Sequence, residues 1–168
     1  MTISYLQHLI DEGILKGSKA ADLGCGIGNA AIFLYEHGFE VDAVDKKTQT
    51  IPGVNFVQAD IRHFFIQENS YDIIHARNVL QFLGIDEIPP MIAKMNKGLK
   101  PGGVLYFSLL GTKDGWNGIK SLTFVSEAEA DELASQLNIH GKTFYTGKGT
   151  TTNGIKKTCQ VFYYTCIR

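Results

Sequence analysis

The sequence predicts an α/β protein, a three-layer α/β/α sandwich doubly wound around a mostly parallel sheet. Three observations carry that prediction. Short apolar runs alternate with amphipathic or capped segments from residue 3 to residue 138. The early runs are continuously hydrophobic, as strands covered on both faces require. The chain then closes on two β-rich runs, residues 142–146 and 160–167, flanking a polar segment of Gly, Thr, Asn and Lys. Such a hairpin with a long loop must add one antiparallel strand.

Each element has its own signal. Ile3, Leu6, Leu9, Ile10 and Ile14 recur at helical steps and predict an amphipathic helix over residues 3–15, closing at Gly17, so that residues 1–17 cap the domain. Residues 19–23 form the first strand, 29–37 a helix with Gly28 or Asn29 at its cap, and 39–44 the second strand. Residues 54–59 are the third strand, 61–67 a short helix and 71–76 the fourth strand. A helix over 86–97 tolerates Pro89 and Pro90 in its first turn and ends at Gly98. Pro101-Gly102-Gly103 turns the chain into a fifth strand, 104–110. Ser126 followed by Glu129 is a capping box that opens a helix running to about residue 138.

Composition narrows the function. The 168 residues predict one domain over 1–168, large enough to bury about 70% of its unfolded surface. Sixteen Lys and Arg against seventeen Asp and Glu give a net charge of −1, which argues against nucleic acid or an anionic membrane as partner. Cys25, Cys159 and Cys166 are an odd number without metal-ligand spacing or disulfide-scaffold density, so a cytoplasmic location and no metal site are expected. Cys159 and Cys166, an odd step apart on one strand, point to opposite faces. The N-terminus lacks a leader pattern, and no apolar run approaches the roughly 18 residues of a membrane span.

The most informative stretch is Ala21-Asp22-Leu23-Gly24-Cys25-Gly26-Ile27-Gly28-Asn29, between the first strand and its helix. Glycines there let the backbone turn sharply and approach a ligand, with free helix N–H groups facing it. Asp45 follows Gly24 by 21 residues at the end of the second strand, where a carboxylate can accept from both hydroxyls of a ribose. Asp60 ends the third strand in the same way and could accept from an exocyclic base amine, or cap the next helix. Asp22, Asp45 and Asp60 thus close three successive strands. A nicotinamide dehydrogenase would share the ribose carboxylate, but its third glycine would fall at residue 29, where Asn29 stands.

These residues resemble the class I S-adenosylmethionine-dependent methyltransferases. Asp22 to Gly28 looks like their first motif, and Leu99-Lys100-Pro101-Gly102-Gly103 like the turn before their fifth strand. The stretch Tyr71-Asp72-Ile73-Ile74-His75-Ala76-Arg77-Asn78 is similar to the fourth strand and its loop. The compact size and first three strands look nearest the tellurite-resistance-type small-molecule enzymes, whose acceptors include soft chalcogen anions. The resemblance implies a seven-stranded Rossmann-like sheet in order 3-2-1-4-5-7-6 with strand 7 antiparallel. It also implies that Asp22 and the backbone of Gly24, Cys25 and Gly26 contact the methionyl part. Asp45, with Lys46 beside it, would hold the ribose, Asp60 and Ile61 the adenine, and Ala76 would flank the sulfonium.

In-line methyl transfer needs a nucleophile about 3 Å from the methyl carbon and, for hydroxyl or ammonium acceptors, a base. His75, ending the fourth strand, is the base candidate, with a packed histidine as the alternative; Arg77 is placed to hold an anionic acceptor, or is a solvated loop arginine. His8, His37, His63 and His140 read as structural or surface residues. No Asp/Asn-Pro-Pro-Tyr box and no Pro-Cys pair follows the fourth strand, which disfavours DNA and protein amino groups and cytosine C5. The acceptor site is expected among the N-terminal helix, the 77–86 loop, residues 111–125 and the 147–158 hairpin loop, with Trp116 closing over substrate or anchoring its loop. The expected protein is a methyltransferase for a small molecule. A non-catalytic cofactor-binding subunit and, further off, an NAD-dependent dehydrogenase are the alternatives.

Overall fold

The structure is a computed structural model and describes residues 2–151 and 154–168. Seven strands form one sheet in the order β3-β2-β1-β4-β5-β7-β6. These are β1 (Lys19–Leu23), β2 (Glu40–Asp45), β3 (Asn55–Gln58), β4 (Tyr71–Ala76), β5 (Leu99–Leu110), β6 (Ile139–Thr150) and β7 (Lys156–Ile167). The first five run parallel, and β7 lies antiparallel to both β5 and β6, as the terminal hairpin predicts.

Both faces are covered, which explains the unbroken apolar runs. On one face Leu6 and Leu9 of α1 (Thr2–Asp11) and Ala31 and Leu34 of α2 (Asn29–Glu36) pack on Ala20, Val41, Ile73 and Val104. On the other, Met91, Ile92 and Met95 of α3 (Ile88–Gly98) and Ala130 and Ala134 of α4 (Glu127–Ala134) pack on Ala21, Ile74, Leu105 and Phe107. Alternate residues of each strand divide between these two layers.

Several boundaries differ from the sequence reading. The first helix stops at Asp11 because Gly13 turns the chain and the Ile14 and Leu15 N–H groups both donate to Leu9 O at 2.9 Å. Residues 61–63 form a turn and 65–67 are irregular, in place of a helix, while two 3₁₀ turns, Leu80–Phe82 and Ile85–Glu87, fill the expected loop before α3. The capping box is present, with Glu129 N–H donating to Ser126 Oγ at 3.3 Å and Ser126 N–H to Glu129 Oε2 at 2.7 Å. Its helix nevertheless ends at Ala134. The Pro101-Gly102-Gly103 segment is a bulge within β5: β4 advances from Tyr71 to Ile73 while β5 advances from Leu99 to Val104.

The largest correction is the hairpin. Residues 147–150 and 156–158 are ladder, paired down to Thr150↔Lys156, so most of the expected long loop is strand. These residues are exposed or half-buried throughout, so their sequence carries no hydrophobic alternation to reveal the pairing. The expected acceptor contribution from the tip, residues 152 and 153, lies outside the described residues, as does Met1.

Asp72 ties the start of β1 to β4 and β5. Its Oδ2 accepts from the Ser18 and Lys19 N–H groups at 2.9 Å each and from Lys100 Nζ at 2.8 Å. Burial acts to raise its pKa, but the Lys100 ammonium and the two N–H groups overcome this and hold the carboxyl below its ordinary value. A depressed carboxyl contributes stability at neutral pH that is lost as pH falls through the folded-state value, below about pH 4. Asp72→Ala is predicted to cost about 1–3 kcal/mol, lowering the melting temperature by several degrees. The gap between wild type and variant should narrow between about pH 7 and about pH 3 in thermal melts; an equal gap at both would reject this role.

Candidate functional site

The chain runs outward from β1 in one direction through β2 and β3, and in the other through β4 and β5, so the order reverses between β1 and β4. Open α/β sheets bind ligands beyond the carboxyl ends of the strands at such a point. Asp22 and His75 are direct neighbours there, joined by a 2.7 Å hydrogen bond between Asp22 Oδ1 and His75 Nδ1.

The glycine loop leaves β1 beside this pair. Gly24 has φ +71°, and a Cβ on it would lie 2.4 Å from Val79 Cγ2, so the loop tolerates no side chain there. Gly26 has φ +54° and open space where a Cβ would be. Gly24 and Cys25 N–H donate to Val44 O at 2.7 and 3.0 Å, and Gly26 N–H donates to Asp45 Oδ2 at 2.9 Å. These three N–H groups are therefore committed to the fold, and what this part of the loop offers a ligand is its shape and carbonyl oxygens, whereas the helix N–H groups expected to face it belong to the first turn of α2. Asp45 is half-buried; its Oδ1 accepts from Lys47 N–H at 2.9 Å, which leaves each oxygen further lone pairs.

The other predicted residues fall elsewhere. Asp22 is 2% exposed and lies under the loop, turned toward His75. Ile61 and Ala76 point into the hydrophobic layer around α3, so only their backbone could face a ligand. Asp60 sits in an ion cluster, its oxygens taken by Arg62 Nε and Nη2 and by Lys46 Nζ at 2.9 Å, with Arg62 reaching on to Glu87 at 3.3 Å. Arg62 is the main cause holding the Asp60 carboxyl far below its usual range. Asp60 also accepts from Arg62 N–H at 3.0 Å, which closes a turn, since the helix expected as the alternative for it to cap is absent. Lys46 is correspondingly an ion-pair partner of Asp60.

His75 does not reach an open surface. It is 4% exposed and stacks on Tyr106 at 5.3 Å, while its Nε2 is enclosed without a hydrogen-bond partner. As a base in contact with an acceptor it is thus misplaced in this structure, and it belongs to the packed layer. Arg77, the next residue but one, emerges into a cavity of about 360 Å³. Tyr5 and His8 of α1, Tyr106 of β5, Tyr145 of β6 and Tyr163 of β7 line it with Arg77. Sequence reading assigned His8 to the surface and passed over the tyrosines. The available signal was that Tyr5 and His8 are three apart on one helix and so share a face.

The expected loop contributions shrink accordingly. Residues 111–125 do not line this cavity but are strapped to β7 through Asp114, which is buried, pairs with Lys157 at 2.5 Å and accepts from Gln160 N–H at 3.1 Å. Trp116 is an anchor in that strap, with Lys157 Nζ 4.5 Å above its ring. Among the described residues no cluster of His, Cys, Asp or Glu could hold a metal ion, and no helix is long and apolar enough to cross a membrane.

Do these residues suit a sulfonium nucleoside? Half-exposed Asp45 has lone pairs for ribose hydroxyls, Gly26 leaves open space, and Asp22 Oδ2 is a buried acceptor without a partner beside the loop. The fit is good. The same fold occurs in solved structures: a SAM-dependent methyltransferase from Methanosarcina mazei matches with a TM-score of 0.71 at 16% identity, over 95% of this chain and 96% of that one. TehB from Haemophilus influenzae matches with a TM-score of 0.73 at 19% identity, over 96% of this chain and 62% of that one. The protein therefore has the fold of the SAM-dependent methyltransferases.

Within that class, residues 6–133 match the family described as tellurite resistance protein TehB, and the chain belongs to that family. A carboxy-S-adenosyl-L-methionine synthase of Shewanella loihica is 32% identical over 123 residues, 63% of this chain and 50% of the synthase. The chain thus spans about half the length of that relative.

Burial, with the negative charges of Asp22 and Asp45 adding to it, pushes the Cys25 thiol up to about 12, and burial does the same to Cys166. Neither is a thiolate at neutral pH, so Cys25 serves the loop as a small packed residue. Iodoacetamide at about pH 8 is predicted to spare both in the native chain and to modify all three cysteines in denaturant, as counted by mass spectrometry. Alkylation of native Cys25 at the rate of a free thiol would overturn this assignment.

Proposed function

We propose that this protein is a SAM-dependent methyltransferase acting on a small-molecule acceptor by in-line transfer. One observation carries the reading. The glycine loop with Asp45 follows β1 and β2 on one side of β4, and the tyrosine-lined cavity draws on β5, β6 and β7 on the other, with Arg77 reaching it just after β4. A donor site and an acceptor site so placed can bring two reactants together, and orientation of that kind contributes about 7–11 kcal/mol to the barrier.

S-adenosylmethionine, when bound, supplies an electrophilic methyl group and a neutral leaving group that needs no acid. The chain's own residues bind and orient: Asp45 takes the ribose hydroxyls, the Gly24–Gly26 backbone shapes the methionyl end, and the Ala76 backbone borders the sulfur. Arg77 holds a negative acceptor at the mouth of the cavity. An acceptor that arrives as an anion needs no protein base, consistent with the enclosed position of His75. Three free cysteines suit a reducing cytoplasm, and the near-neutral charge suits a small molecule better than a polyanion.

Isothermal titration with SAM, S-adenosylhomocysteine and NAD is expected to give micromolar binding of the sulfur nucleosides alone. Binding of NAD, or of none, overturns the reading. Asp45→Ala should weaken nucleoside binding about 10- to 100-fold with the fold retained, since hydrogen bonds to a carboxylate are lost. Unchanged affinity would remove Asp45 from the site. The likeness to the Shewanella synthase favours a second reading, a site for carboxy-S-adenosylmethionine, with Arg77 as the counter-charge of the added carboxylate. Tighter binding of that nucleoside than of SAM, abolished in Arg77→Met, would select it.

A further inference from the structure

The cavity has a specific chemistry. Its volume of about 360 Å³ lies at the lower end of small-molecule sites, which run to roughly 1,000 Å³, and so suits one or two rings. Tyr106 stacks with Tyr5 at 4.8 Å and with Tyr163 at 6.1 Å, so an aromatic wall already stands assembled. Tyr5 is held in place by the contact of its hydroxyl with Thr165 Oγ1 across the α1–β7 gap. Tyr145 is held by its hydroxyl donating to Lys148 O at 2.9 Å.

Among the described residues, Arg77 and His8 are the only basic side chains of that wall, and no carboxylate lines it. The guanidinium is half-buried and lies 5.7 Å from the centre of the Tyr163 ring. Among the described residues it makes no ion pair, whereas Lys46, Arg62, Lys100, Lys142 and Lys157 all do. A partly desolvated, preoriented guanidinium without a carboxylate is an anion site, and its planar fork matches a carboxylate. An inorganic oxyanion would use Arg77 and leave the tyrosine faces without a partner. An aliphatic acid would fill the volume without using the parallel ring planes.

We infer that the cavity takes a small planar aromatic anion, its ring against the tyrosines and its carboxylate or similarly delocalised charge on Arg77. That this ligand is the methyl acceptor rests on the function proposed above; that it binds does not. The face of a tyrosine favours a flat π-system in offset stacking, and Arg77 above Tyr163 places the charge at the edge of that stack.

The test is calorimetric, on the full chain, with benzoate, 4-hydroxybenzoate, cyclohexanecarboxylate and selenite, each with and without saturating S-adenosylhomocysteine. The aromatic acids should bind about tenfold or more tightly than the saturated acid, and Arg77→Met and Tyr163→Leu should each lower their affinity at least about tenfold. Equal affinity for the flat and saturated acids, binding of selenite alone, no binding at roughly millimolar acid, or an unaffected Arg77→Met would each overturn the inference. Thermal melts verify that the variants fold. Should Tyr163→Leu not fold, the comparison of benzoate with cyclohexanecarboxylate on the wild-type chain decides. Titration of S-adenosylhomocysteine alone separates the two claims: its failure overturns the methyltransferase reading while aromatic-acid binding stands, and its success without aromatic-acid binding overturns only this inference.

Discussion

The buried hydrogen bond between Asp22 and His75 occupies the place where the sheet reverses its order, and both halves of the candidate site are hung from it. Two polar side chains almost wholly removed from water must satisfy each other, so β1 and β4 are locked at their carboxyl ends, where a register slip would leave both unpaired. Loss of one partner leaves the other buried and unsatisfied, at a cost of about 1–3 kcal/mol, which makes the bond a strong constraint on local geometry. The glycine loop leaves one strand from this point, and Ala76-Arg77 leaves the other.

From that pair a row of residues continues across one face of the sheet. His75 neighbours Tyr106 on β5, and Tyr106 neighbours Thr165 on β7, where α1 closes the row through Tyr5. Cross-strand neighbours of this kind are the unit from which sheets gain specificity. Here they link the strand ends at the glycine loop to the cavity wall. The floor of the cavity is thus built from packed sheet residues, which suits a site that orients its ligand.

Electrostatics divide the site in a complementary way. The Asp60 edge is saturated by Arg62 and Lys46, so its charge is spent within the protein, whereas Arg77 keeps its charge available to a ligand. The near-zero net charge conceals this asymmetry. Composition sums over the chain, but binding reads only the charges that lack an internal partner. In the same manner Asp60 neither caps a helix nor stands free, because Arg62 two residues on folds back to it in a turn.

By itself, the sequence determined the alternation of strands and helices, the antiparallel hairpin, the Ser126 capping box and the glycine loop with Asp45, because each depends on neighbours within a few residues or on a fixed spacing. Only the tertiary structure decided that His75 is enclosed, that Ile61 and Ala76 face the core, that the expected hairpin loop is a paired ribbon, and that Tyr5, His8, Tyr106, Tyr145 and Tyr163 surround Arg77. Those residues come from α1, the turn after β4, β5, β6 and β7, and no periodicity links one element's residues to another's. They meet because sheet order and crossover packing bring distant segments together, and that information lies in long-range burial instead of local pattern.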